Sequence, residues 1–152
     1  MSITKSFRTV SMFPLCFLGI VSASDAATIV GTYWEDEVAT TTCAGLTCRV
    51  DFSALPANRA LILRSVSCRV VNQKPIAIYY ADLSYSDKPK TARSHIWALS
   101  FSNATTAGRT WSVVNYDGHF LVPAGKVVNV QFDPTQSSNL FYNCRASGVF
   151  VN

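Results

Sequence analysis

The sequence predicts an all-β protein, an antiparallel sandwich or barrel of about eight strands, and three observations predict it. After residue 28, apolar side chains recur at every second position and no helical period is present. Segments of this kind follow one another at intervals of about ten residues, with turn-forming residues between them. Hydrophobic residues make up 49% of the 152 residues and charged residues only 14%, which excludes a disordered chain. This length suits a single domain.

Six alternating segments define the predicted strands. Their rows are Leu61 and Leu63 followed by Val66, Cys68 and Val70; Ile76, Ile78 and Tyr80; His95, Trp97, Leu99 and Phe101; Trp111, Val113 and Asn115; Val128, Val130 and Phe132; and Leu140, Tyr142, Cys144 and Ala146, with a restart at Val149 and Val151 after Ser147-Gly148. The first row slips by one residue near Arg64 and Ser65, which predicts a β-bulge. Because a small domain needs large side chains in its core, we assign Trp97 and Trp111 to the core.

Three turns connect these strands. Asp117-Gly118 is the strongest hairpin signal, because a type I′ turn needs positive φ at both central residues. Residues 55–59 and 122–126 resemble each other, since each places Pro-Ala before Asn or Gly and a basic residue. Proline presets φ at the first corner and Asn or Gly tolerates the left-handed region, so we interpret both as similar hairpin turns. A duplicated half is the alternative, but the flanking strands agree too loosely to establish it.

Residues 1–26 predict a secretory signal peptide. Lys5 and Arg8 precede an apolar stretch at residues 12–21, and small residues follow it, which places cleavage near Ala23 to Ala27. Residues 27–152 then form the single mature domain. The apolar stretch is too short for a transmembrane helix. The expected location is therefore secreted or periplasmic.

Loss of Cys16 with the signal leaves four cysteines in an oxidising compartment, where disulfides form and persist. Three connectivities are open, and we choose Cys43–Cys48 and Cys68–Cys144. The first pair flanks a short turn-like segment, and the second joins two long β segments. A four-ligand zinc site is the alternative, but only the first pair has a spacing near that of zinc ligands.

Parts of the chain resemble a group of small exported bacterial β-sandwich proteins for which no activity is established. The likeness rests on the two Pro-Ala turns, on Val66-Ser67-Cys68, and on the terminal Cys-Arg-Ala-Ser-Gly-Val-Phe-Val segment. It covers residues 55–71 and 122–151. The resemblance implies a jelly-roll-like sandwich, and it supplies no catalytic residues.

The titratable residues do not indicate an enzyme. The serines and acids that a hydrolase triad could combine with His95 or His119 are Ser94, Ser100, Ser112, Asp82 and Asp117. No nucleophile-elbow or other local signature selects any of them. His95, His119 and Asp117 lack the spacing along the sequence that is typical of metal ligands. We therefore expect no catalysis, no metal and no cofactor, and the net charge of +4 is too mild to predict nucleic-acid binding.

Exposed aromatic residues are the remaining ligand-binding candidates, because tyrosine and tryptophan present flat apolar faces with polar edges. The candidates are Trp34, Tyr79 and Tyr85. Trp34 belongs to the acidic segment 33–37, which we interpret as a solvated N-terminal arm. Residues 86–93 form a polar loop with three cations, which we interpret as a solvated loop that can also contact an anionic polysaccharide or lipid headgroups. Asn103-Ala104-Thr105 matches a glycosylation acceptor.

The function that the sequence predicts is that of an exported, non-catalytic binding or structural module. A lectin-like carbohydrate-binding module that uses surface aromatics is the first alternative. A fimbrial or surface-assembly subunit is the second, although the first strand region, residues 27–37, alternates poorly for a donated strand. The expected partner is therefore a carbohydrate or another exported protein.

Overall fold

The computed structural model describes residues 27–151, apart from the side chains of residues 39–41. The signal-peptide prediction lies outside these residues. Ten strands are present: β1 Thr28–Val30, β2 Tyr33–Gly45, β3 Cys48–Ala54, β4 Ala60–Asn72, β5 Ile78–Ser86, β6 Arg93–Ala98, β7 Ser100–Thr106, β8 Arg109–Val122, β9 Val127–Pro134 and β10 Ser138–Val151.

The strands form two antiparallel sheets packed as a sandwich, which confirms the predicted fold class with more strands than expected. The six-stranded sheet has the order β1-β2-β10-β4-β8-β7, and the four-stranded sheet has the order β3-β9-β5-β6. Leaving aside the edge strands β1 and β7, the remaining eight strands pair in a nested way. β2 pairs with β10, β3 with β9, β4 with β8, and β5 with β6. This nesting, four strands to a sheet, is the jelly-roll arrangement that the resemblance implied.

The bulge predicted in β4 is confirmed. Leu63 opposes Phe120 and Ser65 opposes Asp117 on β8, and the ladder with β10 shifts at the same place. The shift keeps apolar residues on the inner face on both sides of Arg64. Leu61, Leu63, Val66, Cys68 and Val70 are all buried.

β10 does not restart after Ser147-Gly148, as the sequence indicated, but continues unbroken to Val151. Gly148 explains the continuity. A Cβ placed on Gly148 would lie 2.5 Å from the carbonyl oxygen of Ile62 and 3.0 Å from Cα of Leu63. The glycine therefore lets β10 pass close to the bulged backbone of β4.

Both predicted disulfides are present. Cys68 and Cys144 lie directly opposite each other on β4 and β10, at the centre of the six-stranded sheet and on its inner face. Cys43 and Cys48 join the end of β2 to the start of β3, so this bridge links the two sheets at a corner. Two disulfides are consistent with an extracellular or periplasmic location.

The hairpin turn predicted at Asp117-Gly118 is absent, because β8 runs straight through these residues. Between the pairs Leu63–Phe120 and Ser65–Asp117, β8 has one residue more than β4, and the bulge accommodates this residue. The two-residue turn lies instead at Ala107-Gly108, between β7 and β8, where φ is 51° and 75°. Pairing with the whole length of β4 thus overrides the local turn preference of Asp-Gly.

The two Pro-Ala turns are not hairpins, because each carries the chain from one sheet to the other: residues 55–59 link β3 to β4, and residues 123–126 link β8 to β9. They lie side by side. The N–H of Leu55 donates to the carbonyl of Lys126 over 2.9 Å, and the N–H of Gly125 donates to the carbonyl of Pro56 over 3.0 Å. Their similar sequences therefore serve one shared end of the sandwich.

All three tryptophans lie opposite to their predicted positions. Trp34 is fully buried on β2 and packs edge-on against Phe52, so the N-terminal segment is a sheet strand and not a solvated arm. Trp97 is 60% exposed because β6 is an edge strand, and Trp111 is 43% exposed on the outer face of β8. The predicted row through Trp97 also breaks at Leu99, where the chain crosses from one sheet to the other.

Candidate ligand-binding face

The outer face of the six-stranded sheet presents Trp111 to solvent, and the inner neighbours of Trp111 explain its orientation. Thr110 and Ser112 point into the sandwich and are buried, and each has a polar partner on β7. The hydroxyls of Thr110 and Thr105 are 3.0 Å apart, and Ser112 donates to the side chain of Asn103 over 2.5 Å. Because these hydroxyl groups are hydrogen-bonded, Thr110 and Ser112 can be buried on the inner face of β8. Trp111 lies between them in the strand and therefore faces outward.

The residues directly opposite Trp111 on the two neighbouring strands are small or aliphatic. Val71 of β4 lies opposite it on one side and Ala104 of β7 on the other. Neither side chain is large enough to cover the indole ring. Trp111 is 43% exposed, so part of its ring is accessible to solvent.

Below Trp111, the sheet carries two cross-strand lines of polar residues. The first line places Asn143 of β10 beside Arg69 of β4, followed by Val113 of β8. The second line places Glu37 of β2 beside Arg145 of β10, followed by Ser67 and Asn115. We call the surface formed by Trp111 and these two lines the Trp111 face.

The acidic end of the Trp111 face is neutralised by internal contacts. Arg145 forms ion pairs with Glu35 over 2.8 Å and Glu37 over 3.6 Å, and Asn143 donates to Glu37 over 3.0 Å. A shallow groove runs along this end, lined by Glu37, Ser67, Arg69, Asn143 and Arg145. Hydrogen-bond donors and acceptors thus stand beside an open aromatic surface.

Two exposed arginines flank Trp111 itself. Arg69 is exposed on β4, diagonally adjacent to Trp111, and Arg109 is exposed on β8, two residues before it. Among the residues that the structure describes, neither guanidinium has a carboxylate partner.

A second polar cluster lies on the outer side of the four-stranded sheet and anchors the loop at residues 86–93. Arg49 donates to the carbonyl of Thr91 over 2.6 Å and to the hydroxyl of Ser86 over 2.8 Å, and the N–H of Lys90 donates to Asp51 over 3.1 Å. The loop predicted to be solvated is therefore exposed but tied to β3.

Three buried oxygen atoms in this cluster have no hydrogen-bond partner among the described residues. They belong to Asp82, Ser84 and Asn129, whose side chains share one face of β5 and β9. Asp82 also pairs with Arg93. Burial, reinforced by the charge of Asp82, raises the pKa of the Tyr80 hydroxyl. Asp82, Ser84 and Asn129 are all buried.

The two histidines lie in different surroundings. His95 hydrogen-bonds to the hydroxyl of Tyr85 over 2.5 Å and stacks on its ring. His119 accepts a hydrogen bond from Arg64 and lines a groove with Ser100 and Asp117. In the described part of the chain, no hydrogen bond joins those three groove residues into a triad.

Burial separates the aromatic residues that the sequence suggested as ligand contacts. Trp34 is in the core, and Tyr85 is 8% exposed beneath His95, so neither ring is open to a ligand. Tyr79 is 61% exposed at the start of β5. Trp111 was missed, because the alternation in β8 fits either face. The sequence signal for an outward Trp111 is the polar pair Thr110 and Ser112 on either side of it, because these residues can hydrogen-bond to polar residues of the preceding strand.

The described residues contain no cluster of three His, Cys, Asp or Glu side chains that could hold a metal ion. Between residues 27 and 151 there is also no helix of the length and apolarity needed to cross a membrane. Comparison of the chain with protein-family models, with curated proteins and with solved structures gives no match.

Proposed function

We propose that this protein is an exported, non-catalytic module that binds carbohydrate on the Trp111 face. The observation that carries the proposal is the half-exposed indole of Trp111 on a regular sheet surface, with Val71 and Ala104 directly opposite it. Aromatic rings stack on the apolar face of a pyranose, and the indole N–H remains available as a donor.

The polar lines beside Trp111 supply the groups that sugar hydroxyls need. Asn143, Ser67 and Asn115 carry both donors and acceptors, and Glu37 and Arg145 provide charged partners in the groove. A site with an apolar platform and a few placed polar groups is typical of small-molecule recognition.

The platform is also held rigid. Asn143 and Arg69 oppose each other on β10 and β4, and the next pair along the same ladder is Cys144 and Cys68. Their disulfide lies on the inner side of the sheet, beneath the Trp111 face. A site fixed before binding loses less conformational entropy when the ligand arrives.

Export supports the same proposal. The signal predicted at residues 1–26 and the two disulfides fit a protein that acts outside the cytoplasm. Glycans of envelopes and extracellular matrices are available in that environment.

The test is a glycan array probed with the mature protein, followed by calorimetry on the glycans that bind. Trp111→Ala should weaken binding about tenfold or more, because stacking and apolar contact are lost. Tyr79→Ala is the matched control, since Tyr79 is an exposed aromatic residue on the other sheet. An array without binding, or equal losses in the two variants, contradicts the proposal.

A surface-assembly subunit is a second candidate, favoured by β6. This edge strand exposes Ile96 and Trp97 side by side, and an exposed apolar edge can pair with a strand of another chain. Light scattering after size exclusion tests it. Concentration-dependent oligomers that Trp97→Lys abolishes would support assembly through β6, and a monomer at all concentrations would exclude self-assembly.

A further inference from the structure

We infer that the sugar bound on the Trp111 face is anionic, with carboxylate or sulfate groups held by Arg69 on one side of Trp111 and by Arg109 on the other. This inference rests on the proposed function and deepens it. The structural observation is the position of two guanidinium groups around one exposed indole.

Both arginines are within reach of a sugar ring stacked on Trp111. Arg109 precedes Trp111 by two residues on β8, and same-face neighbours on a strand are about 6.6 Å apart. Arg69 is diagonal to Trp111 on β4, because Val71 opposes Trp111 and Arg69 opposes Val113. Diagonal neighbours are separated by about 7–8 Å, which long side chains span. Anionic substituents on the two sides of the stacked ring can therefore meet the two guanidinium groups.

Among residues 27–151, the positive charge beside Trp111 forms no ion pair. Of the acids on the outer face of the six-stranded sheet, Glu35 and Glu37 are already paired with Arg145, and Asp117 lies six residues beyond Trp111 on β8. In the region from residue 27 to residue 151, Arg69 and Arg109 have no such partner. A neutral sugar would leave both cations uncompensated, whereas an acidic sugar would neutralise them.

Guanidinium groups suit this ligand chemistry. The planar fork of arginine donates two parallel hydrogen bonds to a carboxylate or sulfate, and such charge-assisted bonds are stronger than neutral ones. With an indole beside them, the site can bind a sugar ring by stacking and its anionic substituent by the guanidinium groups. A uronate and a sulfated sugar share this chemistry.

The experiment measures affinity by calorimetry at physiological salt for three oligosaccharides of equal length. The probes are an oligogalacturonate, a sulfated oligosaccharide and a neutral oligosaccharide. The wild-type protein should prefer one of the anionic probes over the neutral probe by about tenfold or more. The probe that wins distinguishes carboxylate from sulfate.

Arg69→Gln and Arg109→Gln should each remove most of this preference, because each variant loses one charge-assisted contact to the anionic probe. Lys88→Gln is the matched control, because it removes one exposed cation from the loop of the other sheet. Arg69→Lys should recover only part of the loss, since lysine keeps the charge but not the fork. Thermal unfolding of each variant shows whether the fold is intact.

Each outcome separates the inference from the proposed function. If the neutral probe binds as tightly as the anionic probes and Arg69→Gln has no effect, the inference is wrong and the proposed function stands. If Lys88→Gln weakens anionic binding as much as Arg69→Gln, the attraction is non-specific and the inference is again wrong. If no oligosaccharide binds, the proposed function itself is overturned.

Discussion

The side chain of Asn103 holds both backbone polar groups of Ile78. Its Oδ1 atom accepts the N–H of Ile78 over 3.3 Å, and its Nδ2 atom donates to the carbonyl of Ile78 over 2.9 Å. Asn103 belongs to β7 of the six-stranded sheet, and Ile78 begins β5 of the four-stranded sheet. One amide thus ties the two sheets together where β5 starts. The Nδ2 atom, to which an N-linked glycan would be attached, is engaged in this contact.

Asn103→Ala should lower the free energy of unfolding by about 1–3 kcal/mol, because two backbone groups of Ile78 and the hydroxyl of Ser112 lose their partner. Urea unfolding measures the change. Ser102→Ala, the exposed neighbour on β7, is the control and should stay within about 0.5 kcal/mol of the wild type. Equal stability of the two variants would show that Asn103 does not join the sheets.

Gly148→Ala should destabilise the protein by about 1–3 kcal/mol, because the new Cβ would overlap the backbone of β4 at Ile62. Gly118→Ala is a useful comparison. Its Cβ would meet only the side chain of Tyr116, at 2.8 Å from the hydroxyl, and that ring can move. Thermal unfolding should therefore show a clearly larger loss for Gly148. The reverse order would contradict the close approach of β10 and β4.

The two disulfides should differ in their contribution to stability. Cys68–Cys144 closes a loop with a sequence separation of 76, and Cys43–Cys48 closes one of 5. On the chain-entropy model, replacing the first pair by alanine costs about 4–5 kcal/mol and the second about 2 kcal/mol. Denaturant unfolding of the two double variants measures this. Equal losses would indicate that the unfolded chain already holds the long loop closed.

Lys126 lowers the pKa of Asp87 below its ordinary value through a side-chain hydrogen bond and its positive charge. The pair therefore stabilises the folded state above that ordinary pKa, and the contribution is lost as the pH falls through the pKa of the folded state. Titration of the Asp87 carboxyl by NMR should show its pKa rising in Lys126→Gln.

Lys88→Gln is the control for this titration, because Lys88 acts on Asp87 by charge alone and as the smallest of the causes. It should move the pKa of Asp87 less than Lys126→Gln does. Similar shifts in both variants would mean that the Lys126 contact does not form in solution.

The sequence was informative where one face of a strand is uniformly apolar. In β4, Leu63 and Val66 lie on either side of the bulge and both can only face the core, so the slip near Arg64 was readable. The cysteine pairing was predictable for a similar reason, since Cys68 and Cys144 each fall on the apolar row of a long strand.

The orientation of β8 could not be read in the same way. Trp111 and Val113 compete with Ser112 and Val114 for the core, and the choice depends on Asn103, which provides a partner for Ser112 from another strand. The turn preference of Asp117-Gly118 was also misleading, because the pairing of β8 with β4 keeps these residues in an extended strand. These features depend on tertiary contacts, so the Trp111 face was not predictable from periodicity.

The most direct test of the account is an NMR titration of the three indole N–H signals with the tightest-binding anionic oligosaccharide. We expect the Trp111 signal to shift in a saturable way, while the signals of buried Trp34 and of Trp97 on the other sheet stay in place. A saturable shift at Trp97 with Trp111 unchanged would contradict the assignment of binding to the Trp111 face.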